Sequence, residues 1–222
     1  MTFFHDKIKQ IKDDNSTSIL EFKFLQKTVS LKVVDDSDET INLLRKWRKE
    51  NWDGFDSKFE VTFRNTKQWV LNQILKNPNR ILFLIIFDGK KIGQYGINGY
   101  DEKNDSIGLG DLIKGESNIA PGIMRIVEKE FLKWIFQNLK ISSIKAKVFS
   151  DNFKTLNLHN DTGWTMIDSI PIKRMYTEDG WKWEEMKLQS EEDYGERYFN
   201  IIEITKEKLM EKMGDIEYEI LY

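Results

Sequence analysis

The residues best suited to chemistry lie at two corners where a strand-like segment runs into a helix-like segment. The later corner reads KVFSDNFKTLNLHNDTGW over residues 147–164. Its first residues alternate as in a strand, and Asp151 and Asn152 are typical residues at a helix N-terminus. His159 follows on the predicted helix, where an imidazole can give or take a proton near neutral pH. This corner therefore offers a candidate proton-transfer group close to the end of a strand.

The earlier corner runs from IGLGDLI (107–113) through KGESNIAPG (114–122) into a predicted amphipathic helix over 121–139. Asn118 is of the non-glycine type that most readily adopts a positive φ, and Pro121 suits the first position of a helix. A loop at a helix N-terminus can point backbone N–H groups at a phosphate, and the helix dipole also favours the anion. We therefore predict an anion-binding loop, with an ordinary helix start as the alternative.

Together, the two corners resemble the GNAT superfamily of acyl-CoA-dependent N-acyltransferases. The family's first corner carries R/Q-x-x-G-x-G/A, where Gly115 replaces Arg or Gln, Asn118 replaces the middle Gly, and Ala120 fits the pattern. The family's second corner carries N-x-x-A-x-x-L-Y-x-x-x-G-F. That pattern is matched at Asn152, Leu158 and Gly163 and substituted at Thr155, His159 and Trp164.

The resemblance implies an α/β (α+β) GNAT fold with a central, mixed, mostly antiparallel sheet flanked by helices. Its parallel fourth and fifth strands, here 106–113 and 141–149, are implied to splay apart, so that free backbone groups can pair with the pantetheine arm of coenzyme A. Gly108 and Gly110 suit either a bulge or simple local packing. Acyl-CoA is implied as the cosubstrate, with contacts from Leu112, Ile113, Lys114, Asn118, Ile119, Ala120, Pro121, Gly122, Ile123, Asn152 and Lys154.

The same resemblance implies direct attack of an amine on the thioester, without a covalent enzyme intermediate. His159 stands where the family's tyrosine commonly protonates the departing thiolate, and Asp111 lies on the strand that often carries the base. The alternatives are a surface or capping histidine, and an exposed carboxylate at a strand end. Asn152 could contact the pantetheine, cap its helix, or do both.

The helix that begins near Thr40, with the loop after it, is the predicted acceptor site. It contains Trp47, Arg48, Asn51 and Trp52, and an aromatic plane beside a guanidinium suits stacking on a base and pairing with a diphosphate. This segment resembles sugar-nucleotide amine acyltransferases within the superfamily. That likeness implies a nucleotide-linked amino sugar as the acceptor, for a bacterial surface polysaccharide. The alternative is an amphipathic helix with a buried tryptophan and a solvated arginine.

Two other functions stay open at this point. One is an N-acetyltransferase for a protein N-terminus or an aminoglycoside. The other is a non-catalytic module of the GNAT type that binds acyl-CoA, suggested by the missing Arg and middle Gly of the first corner.

Composition excludes several classes of function. A net charge of −3, with 32% charged residues, gives no reason to expect a nucleic-acid partner. The chain has no cysteine and two histidines, so it offers no disulfide, no thiolate site and no multi-histidine metal site, and we expect no metal. The apolar run ILFLIIF (81–87) is too short to span a bilayer. We expect a cytoplasmic protein without membrane contact, and the oligomeric state stays open.

Length and segment order predict one catalytic domain with two additions, because 222 residues suit one substantial core. The N-terminal extension over 1–27 is predicted as a strand or hairpin. The acyltransferase domain is predicted over 28–188, and a helical extension over 189–222. In the tail, a helix is predicted from the spacing of Ile201, Ile202, Ile204, Leu209 and Met213.

Local signals also place elements inside the domain. Helices are predicted from about Thr40 and near 65–77, and strands at 80–87 and 91–99 around the turn at Asp88-Gly89-Lys90. A last pair of strands is predicted at 164–176 and 181–188, joined at Glu178-Asp179-Gly180.

Overall fold

The computed structural model describes residues 2–14, 16–178, 180–186 and 194–217, with side chains up to residue 213. Parts of the predictions fall outside these ranges, namely Asn15 of the NSTS patch, Asp179 of the last turn, 187–188 of the last predicted strand, and 189–193 and 218–222 of the tail.

The helices are α1 (Phe3–Asp13), α2 (Asp38–Glu50), α3 (Phe63–Trp69), α4 (Ile123–Asn138), α5 (Phe153–Asp161) and α6 (Lys206–Glu217). A 3₁₀ turn covers Trp52–Gly54, and a π-helical turn continues α3 over Val70–Leu75. The strands are β1 (Ser18–Phe24), β2 (Lys27–Val33), β3 (Ser57–Phe59), β4 (Ile81–Phe87), β5 (Lys90–Asp101), β6 (Ser106–Lys114), β7 (Ser143–Phe149), β8 (Thr165–Thr177), β9 (Gly180–Glu185) and β10 (Arg197–Thr205). They join one sheet in the order β1-β2-β4-β5-β6-β7-β10-β8-β9-β3. No helix in the described ranges is long and apolar enough to cross a membrane.

Strand β4 lies in the middle of the core, as its uninterrupted apolar sequence predicts. Phe83 and Ile85 face the cluster that includes α1 and α4, whereas Leu82 and Leu84 face the cluster formed by α2 and the π-helical turn. Both faces of the strand are therefore covered, which is why no polar alternation is present. The turn to β5 has φ of 51° at Asp88 and 79° at Gly89, the paired positive values of a tight hairpin.

The strands β6 and β7 confirm the splayed parallel pair. They pair in parallel from Ser106 to Leu109 on β6 and from Ser143 to Ala146 on β7. Beyond these residues β6 continues against β5 and β7 continues against β10, so the two strands leave a gap between them. The other strand pairs are antiparallel, which gives the mixed, mostly antiparallel sheet that the resemblance implied.

The N-terminal segment begins with a helix that the sequence analysis did not identify. Phe4, Ile8 and Ile11 are buried in the main core. Their spacing of four and three residues places them on one face of α1, since an α-helix has 3.6 residues per turn. The alternating segment that follows forms β1, which pairs with β2 as expected of a hairpin.

The prediction of a helix over Ile201, Ile202 and Ile204 is wrong, because these residues belong to β10. This strand lies between β7 and β8 and pairs with both. Ile202 and Ile204 alternate with half-buried neighbours on a strand, and β-branched side chains suit that position. The predicted helix starts only at Lys206, so the sheet continues well beyond residue 188.

We predict that Lys12→Met destabilises the fold although Lys12 lies outside the predicted domain. Its Nζ donates hydrogen bonds to the carbonyl oxygens of Ile74 at 2.6 Å, Leu75 at 3.3 Å and Asn77 at 2.6 Å, at the end of the π-helical turn. Loss of the donor should lower the free energy of unfolding by about 1–3 kcal/mol, measured by urea denaturation. Lys9→Met on the exposed side of α1 is the matched control, and equal stability of the two variants would contradict the prediction.

Candidate active-site cleft

The gap between β6 and β7 opens into a cleft of about 1740 Å³. It is lined by the ends of both strands, by α5, and by segments that precede α4 and follow α2. The cleft therefore brings together both corners that the sequence analysis identified. Among the predicted site residues that line it are Asp111, Leu112, Ile113, Lys114, Gly122, Asn152, Lys154, His159, Asn51 and Trp52.

Asp111 lies at a bulge in β6, where the backbone adopts a φ of 54°. A positive φ is uncommon for a residue other than glycine, and such strain concentrates at functional sites. Its carboxylate accepts a hydrogen bond from Arg80 Nη2 at 3.0 Å, and its carbonyl accepts one from Gln94 Nε2 at 3.1 Å. Burial raises the pKa of Asp111, although Arg80 and Arg48 act in the opposite direction. The carboxylate of Asp111 is therefore fixed in the cleft by Arg80, and it binds a proton more readily than an exposed carboxylate does.

Gly110 lies beside this bulge, where Asn98 occupies the space of a side chain. A Cβ at Gly110 would lie 2.1 Å from Asn98 Nδ2. Asn98 in turn accepts a hydrogen bond from Arg80 Nη2 at 3.4 Å. Asn98, Arg80 and Gln94 were not predicted as site residues, because nothing in their local sequence distinguishes them from ordinary residues in or beside a strand.

The predicted anion-binding loop over 114–122, called the coenzyme loop below, has a conformation different from the predicted one. Its positive φ values occur at Ala120 (47°) and Gly122 (82°), not at Asn118. Helix α4 begins at Ile123, so Pro121 precedes the N-cap and is not the first helical residue. The turn bond from Ile123 N to the Ala120 carbonyl fixes the reversal at this later point.

The loop nevertheless keeps the features of an anion site. Among the described residues, the backbone N–H groups of Gly122 and Met124 have no backbone acceptor, and they lie at the N-terminus of α4. Lys114 and Lys154 also line the cleft, and the pKa of Lys114 is lowered by burial and then by repulsion from Lys154. Asn152 caps α5 by accepting from Thr155 N at 3.2 Å, so the capping alternative holds for this residue.

Trp47 explains why glycine replaces the usual Arg or Gln of the first corner. A Cβ at Gly115 would lie 2.1 Å from the Trp47 indole. The indole is fully buried and its Nε1 donates to Glu116 Oε1 at 3.2 Å. Trp47 therefore supports the loop from below. The prediction that Trp47 contacts the acceptor is wrong, because no part of its side chain reaches the cleft surface.

Arg48 also lies behind the cleft instead of lining it. Its guanidinium packs over Phe55 at 4.0 Å and Phe59 at 4.5 Å, measured to the ring centroids, and Nη2 donates to the Ser57 carbonyl at 3.1 Å. Its Nε is buried without a partner among the described residues. Arg48 therefore does not line the cleft, contrary to its predicted acceptor contact, whereas Asn51 and Trp52 do.

His159 is almost entirely buried at the cleft wall, with a relative exposure of 3%. Its Nδ1 is 2.5 Å from Oε1 of Glu128, a fully buried carboxylate of α4. The ring also packs against Trp164 with a centroid distance of 5.0 Å. His159 is thus neither a surface residue nor a helix cap, which were the alternatives at the sequence level.

A second wall of the cleft was not predicted from the sequence. The pairing of β3 with β9 brings the segment after α2 close to Trp183. Arg197 lies over Phe149 at 3.6 Å and over Trp183 at 5.7 Å, measured to the ring centroids. Its Nε and Nη2 bond to Asp151 at 2.9 Å and 2.5 Å. We call Trp52, Phe149, Trp183 and Arg197 the aromatic wall.

Comparisons with known proteins agree with this arrangement. No protein-family model matches the chain. In sequence it is similar to the acetyltransferase PseH of Campylobacter jejuni subsp. jejuni serotype O:23/36 (strain 81-176), with 27% identity over 133 residues, 60% of this chain and 81% of that protein.

In structure the chain is similar to RimL, a ribosomal L7/L12 alpha-N-protein acetyltransferase, with a TM-score of 0.62 and 15% identity over 84% of this chain and 94% of that one. It is also similar to the spermidine N-acetyltransferase of Vibrio cholerae solved with CoA and spermine, with a TM-score of 0.62 and 12% identity over 82% of this chain and 98% of that one. These likenesses confirm the fold that the two corners implied.

We predict that Gly115→Ala weakens both the fold and coenzyme A binding, because the new methyl group would displace the Trp47 indole and the loop above it. Overpacking of this kind typically costs about 1–3 kcal/mol of unfolding free energy. Urea denaturation and calorimetric titration with coenzyme A measure the two effects. Gly99→Ala is the control, since no atom lies within 4 Å of its added Cβ, and equal behaviour of both variants would contradict the proposed packing.

Proposed function

Since the chain is an acyltransferase with the GNAT fold, we propose that it transfers an acyl group from acyl-CoA to the amine of a nucleotide-linked amino sugar, in the cytoplasm, for a bacterial surface polysaccharide. The observation that carries the proposal is that one cleft is lined by the coenzyme loop, by Asp111 and His159, and by the aromatic wall.

The residues present fit acyl-CoA. The edge of β6 beyond Leu109 no longer pairs with β7, so it can accept the pantetheine arm as an added strand. The N–H groups at the start of α4 suit the pyrophosphate, and Lys114 and Lys154 supply positive charge in the same cleft. Acyl-CoA would supply the activated thioester.

Two side chains are suited to the proton transfers of this reaction. Asp111 would accept the proton of the attacking amine, because its carboxylate lines the cleft and has a raised pKa. His159 would donate a proton to the departing sulfur from α5, the helix that follows the opposite strand of the gap. No covalent intermediate with the protein is needed in this scheme.

The aromatic wall supports an acceptor that carries a nucleotide in addition to the amino sugar. Planar side chains at Trp52 and Trp183 can stack on a base, because every base offers a π face. Asp151 accepts hydrogen bonds from Nε and Nη2 of Arg197. Among the described residues Nη1 of Arg197 has no partner, so it is available to a phosphate oxygen. The buried Nε1 of Trp183 also lacks a partner among the described residues.

An acceptor panel tests the proposed reaction. We expect acetyl-CoA to release free thiol with a uridine-diphosphate-linked amino sugar and not with a peptide N-terminus, an aminoglycoside or spermidine. Thiol release with one of the latter and none with the sugar nucleotide would refute the acceptor class. Calorimetric binding of acetyl-CoA without thiol release from any acceptor would favour a binding module.

We predict that Arg197→Lys raises the KM for the sugar nucleotide about tenfold, because a lysine cannot replace the planar contacts of a guanidinium. The KM for acetyl-CoA should stay unchanged in the same thiol assay. Arg174→Lys is the matched control, since Arg174 also packs on Trp183 and pairs with a carboxylate but does not line the cleft. Equal sugar-nucleotide constants for the two variants would remove Arg197 from the acceptor site.

We predict that Asp111→Asn lowers kcat/KM by roughly 10²–10⁴-fold, the range of a lost general base. In the wild type, activity should fall with decreasing pH as Asp111 gains a proton, and it should do so above the ordinary carboxyl range because burial raises this pKa. The variant should lose that acidic limb in a pH profile of kcat/KM. Asp168→Asn, at an exposed position of β8, is the control. An unchanged profile for Asp111→Asn would assign the base to another group.

A further inference from the structure

We propose that Glu128 is a positioning residue that fixes the His159 ring and its tautomer, so that Nε2 is the nitrogen that gives a proton to the departing sulfur. The catalytic part of this inference rests on the proposed acyl transfer. The positional part concerns the free protein and can be measured without any substrate.

Glu128 is the centre of a buried polar network that joins three elements. Its Oε1 accepts hydrogen bonds from Nδ1 of His159 at 2.5 Å and from the Tyr95 hydroxyl at 3.3 Å. Its Oε2 accepts one from the Thr162 hydroxyl at 3.1 Å. The network therefore links α4, α5 with its following turn, and β5 directly beneath the cleft.

A carboxylate with zero exposure is costly, and an apolar residue would pack at this point of α4 without that cost. The hydrogen bonds account for how the charge is tolerated. These hydrogen bonds do not explain why a carboxylate occupies this position, since Tyr95 and Thr162 are neutral groups that need no carboxylate. His159 is the one member of the network whose second polar atom is not engaged within it.

The geometry sets the proton on Nδ1. A carboxylate only accepts, so the ring must donate from Nδ1 to Glu128. Neutral His159 then carries no proton on Nε2, and the imidazolium carries one on each nitrogen. Within the described part of the chain Nε2 has no hydrogen-bond partner, and it is not among the fully buried atoms that lack one. Because His159 lines the cleft, Nε2 is the atom available to a ligand.

Among the described residues, the charged and titratable groups around the His159 ring come from α4, β5 and α5. Glu128 faces it from α4 and Tyr95 from β5, where burial and Glu128 raise the Tyr95 pKa well above 10 and keep the hydroxyl protonated. Arg125 on α4 and Asp161 on α5 line the cleft and pair with each other. Among the described residues, Glu128 is the charged group that hydrogen-bonds to the His159 ring.

The step balances without a further reactant. The amine nitrogen bonds to the thioester carbon, the carbon–sulfur bond breaks, and the amine proton passes to Asp111. The sulfur leaves with the bond's electron pair and takes the Nε2 proton of imidazolium. His159 is left neutral with its remaining proton on Nδ1, held by Glu128, and regains the Nε2 proton from solvent.

The tautomer is tested on the intact wild-type protein by ¹⁵N NMR of labelled histidine. The chain has two histidines, so a spectrum of His5→Gln assigns His159. We expect neutral His159 to show a protonated Nδ1 and an unprotonated Nε2. A protonated Nε2 in the neutral ring would overturn the proposal, whether or not the acceptor has been identified.

Kinetics test whether Glu128 acts through His159. We expect Glu128→Gln to lower kcat by roughly 10²-fold, with little change in either KM. In a His159→Gln background the same change should have almost no further effect, because the two residues act as a unit. Glu130→Gln, on the half-exposed side of α4, is the control.

The outcomes separate the proposal from its premise. Equal losses of kcat from Glu128→Gln with and without His159 would assign Glu128 to packing and overturn the inference. If His159→Gln itself keeps full activity, the proposed acid is wrong while the NMR result still decides the tautomer. If Glu128→Gln does not fold, the wild-type NMR measurement alone supports or refutes the position of the proton.

Discussion

The structure depends on the point at which β6 and β7 stop pairing. Their parallel ladder holds four residue pairs and ends at Leu109 and Ala146. Beyond it each strand keeps one partner on its outer side, so neither collapses into the gap. The gap provides both unpaired backbone groups and the space of the cleft. The bulge at Asp111 places its carboxylate in this cleft. A sheet paired along its whole length would offer neither feature.

Features specified by short stretches of sequence could be predicted. The buried strand β4 follows from seven successive apolar residues, and the hairpin after it follows from Asp88 and Gly89. The second corner was identifiable because a cap at Asn152 and the spacing to His159 are local properties of one helix. The first corner was placed correctly, but its backbone was not, because several residues in that loop can take a positive φ and distant contacts such as Trp47 against Gly115 select among them.

The remaining features depend on contacts between distant segments. Glu128 appears in the sequence as one more charged residue of an amphipathic helix, and its partner His159 is 31 residues away. The aromatic wall is formed only when β3 pairs with β9, across more than a hundred residues. A tryptophan that supports a loop and one that contacts a ligand have the same sequence pattern, which is why Trp47 and Trp52 could not be told apart.

The central place of β10 has a consequence for synthesis of the protein on the ribosome. This strand fills the position between β7 and β8, yet it is made after both of them. Until residue 205 has emerged, β7 and β8 each expose an unpaired edge, and such edges can pair with other chains. Pairing across so many residues is also slow, because the chain entropy is lost before the contacts form. The nascent chain thus passes through a stage in which one wall of the cleft is missing and the open strand edges can aggregate. This stage ends only when β10 is inserted.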